Sequence, residues 1–216
     1  MNATYISYYI LLLTICVIGV ARYKKLTTPF KLLTVLIGLT LVLEITSEVC
    51  AVLYKNNIFV SYVTCLVEYT FYSLVYYNLF INKSIKKSIL ITLVFFALFY
   101  FINFFWLQPY YKEFPSNVVI VSEITYTIFS LLLFKQMLLY PLPMNITRQS
   151  VFWYNTAMLF FSTTSFLNLG LINYYVKHHL KDSVLLGFNF GINVIFYVLI
   201  GVSILINNKK TITDNV

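Results

Sequence analysis

Charge is what this chain has least of. Only 10% of its 216 residues are Asp, Glu, Lys or Arg, against 60% hydrophobic. A soluble domain carries about 25% charged residues, so that class is excluded. Histidine is nearly missing, and the two present are adjacent, His178-His179, between Lys177 and Lys181. Neighbouring histidines diverge on a helix, whereas zinc helices place them at i and i+4. Cysteine is also sparse. Cys16, Cys50 and Cys65 show no C-x-x-C spacing and read as buried thiols, although Cys50 and Cys65 fall near the same end of neighbouring spans. The prolines, Pro29, Pro109, Pro115, Pro141 and Pro143, all lie between hydrophobic runs, where they punctuate helices rather than kink them.

Catalytic signatures are absent too. No GxSxG, HExxH, GxGxxG or P-loop pattern occurs. Both histidines fall in one loop, so no Ser–His or Cys–His pair forms inside the runs. The last run has no central Lys for a retinal Schiff base. These gaps point away from an enzyme and from any cofactor.

What is present is a series of apolar runs, each long enough for the roughly 20 residues a transmembrane helix needs. Seven are expected: Tyr5–Ala21, Phe30–Leu53, Ile58–Ile81, Ile85–Leu107, Asn117–Tyr140, Ser150–Tyr174 and Ser183–Ile206. The fold class is therefore all-α, a single polytopic seven-helix bundle over residues 1–216, in a cell membrane. The first run lacks a basic leader and its cations follow it, which favours a retained helix with an outside N-terminus. Short connections and a ten-residue tail after Ile206 leave no room for an extramembrane catalytic domain.

The net charge of +8 follows from topology rather than nucleic-acid binding. With the N-terminus outside, Arg22, Lys24, Lys25, Lys31, Lys83, Lys86, Lys87, Lys135, Arg148, Lys209 and Lys210 fall on one side. Lys55, Lys112, Lys177 and Lys181 fall on the other, 11 against 4 of the 15 cations, so the first side and the C-terminus are cytoplasmic. Tyr5, Tyr8, Tyr9, Trp106, Tyr110, Tyr111, Trp153, Tyr174 and Tyr175 sit near the expected interfaces, where amphipathic rings prefer to lie.

Against this background the acids stand out. Two runs flank the polar turn Lys55-Asn56-Asn57 and carry Glu44, Glu48 and Glu68; Glu123 lies in a later run. A charged side chain at the bilayer centre costs about 2.5–3.5 kcal/mol on insertion scales, and such residues usually face the bundle interior. Helical spacing extends each acid into a polar stripe. The stripes are Thr40, Glu44, Ser47, Glu48 and Ala51; Ser61, Cys65, Glu68, Tyr72 and Tyr76; Glu123, Tyr126, Thr127 and Ser130; and Asn189, Asn193, Tyr197 and Gly201. Thr164, Ser165 and Asn168 add to these from the sixth run, and Asn103 from the outer end of the fourth. At about 1.5 Å per residue, every acid falls at the midplane or in the outer half. One polar cavity opening outward is the common cause.

The plainer reading is interhelical glue, at about 0.6 kcal/mol per hydrogen bond. It suits Ser47, Thr164 and Ser165. It suits carboxylates poorly, since Gln or Asn would serve as well. The candidate site is therefore Glu44, Glu48, Glu68 and Glu123 as proton or cation carriers, shaped by Asn189, Asn193, Tyr72 and Tyr197. Glu44 and Glu48 lie one turn apart, so their titrations couple.

A short internal match aligns Glu68-Tyr69-Thr70-Phe71-Tyr72-Ser73-Leu74 with Asn193-Val194-Ile195-Phe196-Tyr197-Val198-Leu199, and Thr46-Ser47 with Thr164-Ser165. An offset of four spans is a parallel repeat of three plus one plus three helices. In topology the chain resembles the SWEET and PQ-loop transporters, although no helix carries a Pro-Gln pair or an intramembrane proline. It also resembles small seven-helix bacterial membrane proteins without an assigned function, which implies a bacterial inner membrane.

Three function classes are open at this point. The first is a small-solute or cation carrier, proton-coupled through the glutamates. The second is a ligand sensor or adaptor that signals through a membrane-protein partner. The third is a metal-dependent intramembrane enzyme using His178, His179 and the acids. The expected partners are the lipid bilayer, a small polar ligand or cation, and a membrane protein.

Overall fold

Local chemistry sets the helix ends. In the computed structural model, which describes residues 3–170, 174, 177, 178 and 183–208, seven long helices follow in order. These are α1 (Ala3–Arg22), α2 (Thr28–Tyr54), α3 (Ile58–Leu79), α4 (Lys83–Ile102), α5 (Ser116–Leu139), α6 (Ser150–Gly170) and α7 (Ser183–Ile206). No strand occurs among the described residues. Pro29 lies in the first turn of α2, where its missing N–H costs nothing. Lys55 ends α2 in the left-handed region, at φ 53°. The Asn56 side chain then accepts from the Ile58 N–H at 2.9 Å and starts α3. Asn82 caps α4 by accepting from the Ser84 N–H at 2.8 Å. Gln136 of α5 satisfies the frayed end of α3, accepting from the Ile81 N–H at 2.8 Å and donating to the Leu79 carbonyl at 3.1 Å.

The helices form a ring. α1 packs on α2, α2 on α3, α3 on α5, α5 on α6, α6 on α7, and α7 returns to α1. α4 stands outside the ring, against α3 and α5. The interior is aromatic, with Tyr62, Tyr69, Tyr76, Tyr154, Phe30, Phe80 and Phe196 all buried. The exterior is apolar. Val42, Val94, Phe95 and Leu131 are more than half exposed. Such a surface is untenable in water but suits lipid, and the bundle fits a multi-pass membrane protein.

Six of the seven helices, α1 to α5 and α7, are long and apolar enough to cross a membrane. α6, expected as a seventh such span, is not among them over its described residues. The cause is its polar content, Asn155, Thr156, Ser162, Thr163, Thr164, Ser165 and Asn168. Much of that content turns inward: Asn155, Ser162 and Ser165 are fully buried.

Three hydrogen-bonded knots hold the ring. At one end, Asn207 is buried just past α7. Its side chain accepts from the Thr27 N–H at 2.9 Å and donates to Ser150 Oγ at 2.9 Å, and its carbonyl accepts from Arg22 at 3.2 Å. Asn207→Ala removes the first two of these, and a melt in detergent should show a loss of about 1–3 kcal/mol. An unchanged melting temperature would show the knot to be idle. At mid-height, Tyr76 meets Ser130 Oγ at 2.6 Å, and Asn155 donates to the Ser130 carbonyl at 2.9 Å. At the far end α4 continues as a π-turn, Asn103–Leu107. There Asn103 donates to Tyr62 at 3.0 Å, Asn117 donates to Asn103 at 3.1 Å, and Gln108 donates to Ser116 at 2.8 Å. The Tyr62 hydroxyl donates to the Gln108 carbonyl.

Candidate functional site

Antiparallel neighbours bring the C-terminal half of α2 beside the N-terminal halves of α3, α5 and α7. That arrangement puts residues distant in sequence at one height. Glu44 lies ten residues before the end of α2, Glu68 ten after the start of α3, and Asn193 ten after the start of α7. Each is about 15 Å from its helix end, and Glu123 about 10 Å.

At this height the ring encloses a cavity of about 200 Å³. Glu44, Glu68 and Glu123 all line it, one carboxyl from each of three helices. Tyr72, Tyr197, Asn189 and Asn193 line it as well, so seven of the eight candidates share one space. The lining reaches Ser47, Ser61 and Phe114, toward the end that carries the 55–57 turn.

Glu48 does not belong to this group. It is exposed, and it borders a separate shallow groove with Val49, Val52 and Leu53. The cavity lies on the Leu43 and Ser47 side of α2, away from it.

The stripes divide in the same way. Ser61, Cys65, Glu68 and Tyr72 line the cavity, whereas Tyr76 belongs to the mid-height knot. On α5, Glu123 and Tyr126 line it, while Thr127 bonds Ser162 at 2.9 Å as glue between α5 and α6. Gly201 is buried away from the cavity, where an added Cβ would stand 3.3 Å from Ile15.

The polar partners of the three acids are few. Tyr8 donates to Glu44 at 3.4 Å. No hydrogen bond reaches Glu68 among the described residues, and one Glu123 carboxyl oxygen is buried without any partner. Glu123 is 5% exposed. Among the described residues, no Lys or Arg lines the cavity. Glu68 is near enough to both Glu44 and Glu123 for their charges to interact. Asn193 donates to the Asn189 carbonyl at 2.8 Å, spending part of its capacity within its own helix.

Aromatic rings complete the wall. Tyr126 meets Tyr72 edge to face at 5.5 Å, Tyr72 meets Phe196 at 6.3 Å, and Phe196 meets Tyr197 at 5.0 Å. Tyr197 in turn meets Tyr8 at 5.8 Å. Tyr8, expected at an interface, is buried and hydrogen-bonded to the site. Sequence reasoning also leaves out Phe161 and Phe196 as lining residues. Nothing in a run of aromatic residues distinguishes those that face a cavity from those that face lipid.

No family model, curated protein or solved structure matches the chain.

All three cysteines are free thiols, so Cys50 and Cys65 are not bridged. His178 is exposed and lies against the Tyr174 ring at 4.4 Å, while His179 is outside the described residues. Among the described residues, no three His, Cys, Asp or Glu side chains are grouped to hold a metal ion.

Proposed function

We propose that the chain is a membrane carrier whose Glu44–Glu68–Glu123 cavity binds a small cationic solute or exchanges it for protons. The observation that carries this reading is that carboxyl groups from three separate helices line one cavity. Among the described residues no Lys or Arg shares that space, and Glu123 has one oxygen there without a partner. Buried polar groups are ordinarily satisfied, and an exception calls for a ligand, an ion or a functional role.

In this proposal the N-terminus is outside, as the cation distribution favours, and the cavity faces outward. The match of Glu68 and Tyr72 with Asn193 and Tyr197 fits a parallel repeat, since both pairs line one cavity.

A second reading, a ligand sensor acting through a partner, draws support from one feature. α2, α3, α5 and α7 run unbroken past the cavity, whereas many transporters use discontinuous helices at their sites.

Purified protein sealed into liposomes separates the two readings. The carrier should pass alkali cations, small ammonium ions or protons down an imposed gradient, and Glu123→Gln should abolish that flux. No flux of any of these, with a stable membrane-protein partner at stoichiometric yield, would leave the sensor standing.

A further inference from the structure

The three carboxyls surround the cavity without converging. Glu44, Glu68 and Glu123 line one space, yet no three acidic or other metal-binding side chains are grouped tightly enough to hold a metal ion among the described residues. A bare metal cation needs several oxygens at close and equal range. Backbone oxygens cannot make up the number, because α2, α3 and α5 stay helical where they pass. Ser122 and Thr64 are turned to their own helices, donating to the Val119 and Val60 carbonyls at 2.8 and 3.0 Å.

The rest of the wall is suited to something other than a bare ion. Tyr72, Tyr126, Phe161, Phe196 and Tyr197 line the same space. These rings are linked by edge-to-face and tilted contacts, from Tyr126 through Tyr72 and Phe196 to Tyr197, so they form one continuous aromatic wall. A ring face attracts a cation, and aromatic cages recognise quaternary ammonium groups for that reason. The volume agrees. A cavity of about 150 Å³ accepts a benzene-sized molecule, so about 200 Å³ has room for a compact organic ion. The unpaired oxygen of buried Glu123 supplies an acceptor already stripped of water.

We propose that the ligand of this cavity is a small organic ammonium ion, its charge held by Glu68 and Glu123 and its alkyl groups seated on Tyr72, Phe196 and Tyr197. The inference rests on the reading of the cavity as a ligand site and narrows it to one chemical class.

Calorimetry on the full chain in lipid nanodiscs tests it with four probes: choline, its neutral carbon isostere 3,3-dimethylbutan-1-ol, sodium and potassium. The expected result is saturable choline binding, with the neutral isostere at least tenfold weaker and the alkali ions silent. Phe196→Leu, which keeps an apolar wall but removes a ring face, should weaken choline roughly tenfold. Equal binding of choline and its isostere would overturn the proposal, because charge would then play no part. Binding of sodium or potassium without choline would overturn it while leaving the cation-site reading intact. Silence from every probe, together with no proton flux in the liposome assay, would remove both.

Discussion

Glu68→Gln should weaken binding of a cationic probe about 10- to 100-fold, the range expected when a charged hydrogen-bond partner is replaced by a neutral one. Glu123→Gln should do the same. Glu48→Gln should do nothing. The three substitutions are nearly isosteric, so they change charge and leave packing almost untouched. The geometry separates them: Glu68 and Glu123 line the cavity, while Glu48 is exposed beside Val49, Val52 and Leu53. A second readout guards against misfolding. Glu123 has one buried oxygen without a partner, so replacing that oxygen by an amide removes no hydrogen bond at that position. The melting temperature of Glu123→Gln should hold or rise as binding falls, the usual trade between stability and function. Equal loss of binding in all three variants would mean that overall acidity matters and the cavity does not.

Gly19→Ala should destabilise the bundle by about 1–3 kcal/mol, the usual range for overpacking. A Cβ at this position would stand 2.6 Å from Thr34 Cγ2 and 2.8 Å from Thr34 Oγ1. Thr34 cannot easily yield. It is buried, and its hydroxyl donates to the Phe30 carbonyl at 2.9 Å. The contact fixes how closely α1 approaches α2, in the manner of small residues at membrane-helix interfaces. Thr34→Ala removes both offending atoms and leaves a Cβ 3.2 Å away. The Gly19→Ala/Thr34→Ala pair should therefore recover most of the loss, and melts of the four proteins in one detergent form the cycle. Additive losses would show that α1 and α2 are not held apart by this contact.

The helical architecture was legible because long apolar runs broken by Pro and Asn-rich turns have few other outcomes. Much of the cavity lining was legible for a similar reason: Glu44 and Glu68 lie at one depth on antiparallel helices, with Glu123 about 5 Å nearer the same end. Glu48 shows where that reasoning stops. At about 100° per residue, Ser47 stands about 60° to one side of Glu44 and Glu48 about 40° to the other. A stripe containing all three does not say which flank faces inward. Leu43 and Thr40 settle it, since one lines the cavity and the other is buried, both on the Ser47 side. Leu43 is an ordinary apolar residue and gave no signal in the sequence. Tyr8 failed for the opposite reason. A tyrosine near a helix end suits an interface, and only the return of α7 beside α1 encloses it. α6 reads as one more apolar span because aromatic and aliphatic residues stand among its hydroxyls and amides; its described residues alone fall short of one.

That composition has a bearing on how the chain is made. A nascent protein enters a bilayer through a channel that releases segments sideways according to their greasiness. Five helices would pass that test before α6 arrived, and α6 is more polar than they are over its described residues. Its amide Asn155 finds partners on helices that come before it, the Ser130 carbonyl of α5 and the Tyr76 hydroxyl of α3, so α6 would settle against helices already delivered. The ring would then close last, when α7 emerges to pack on α6 and α1.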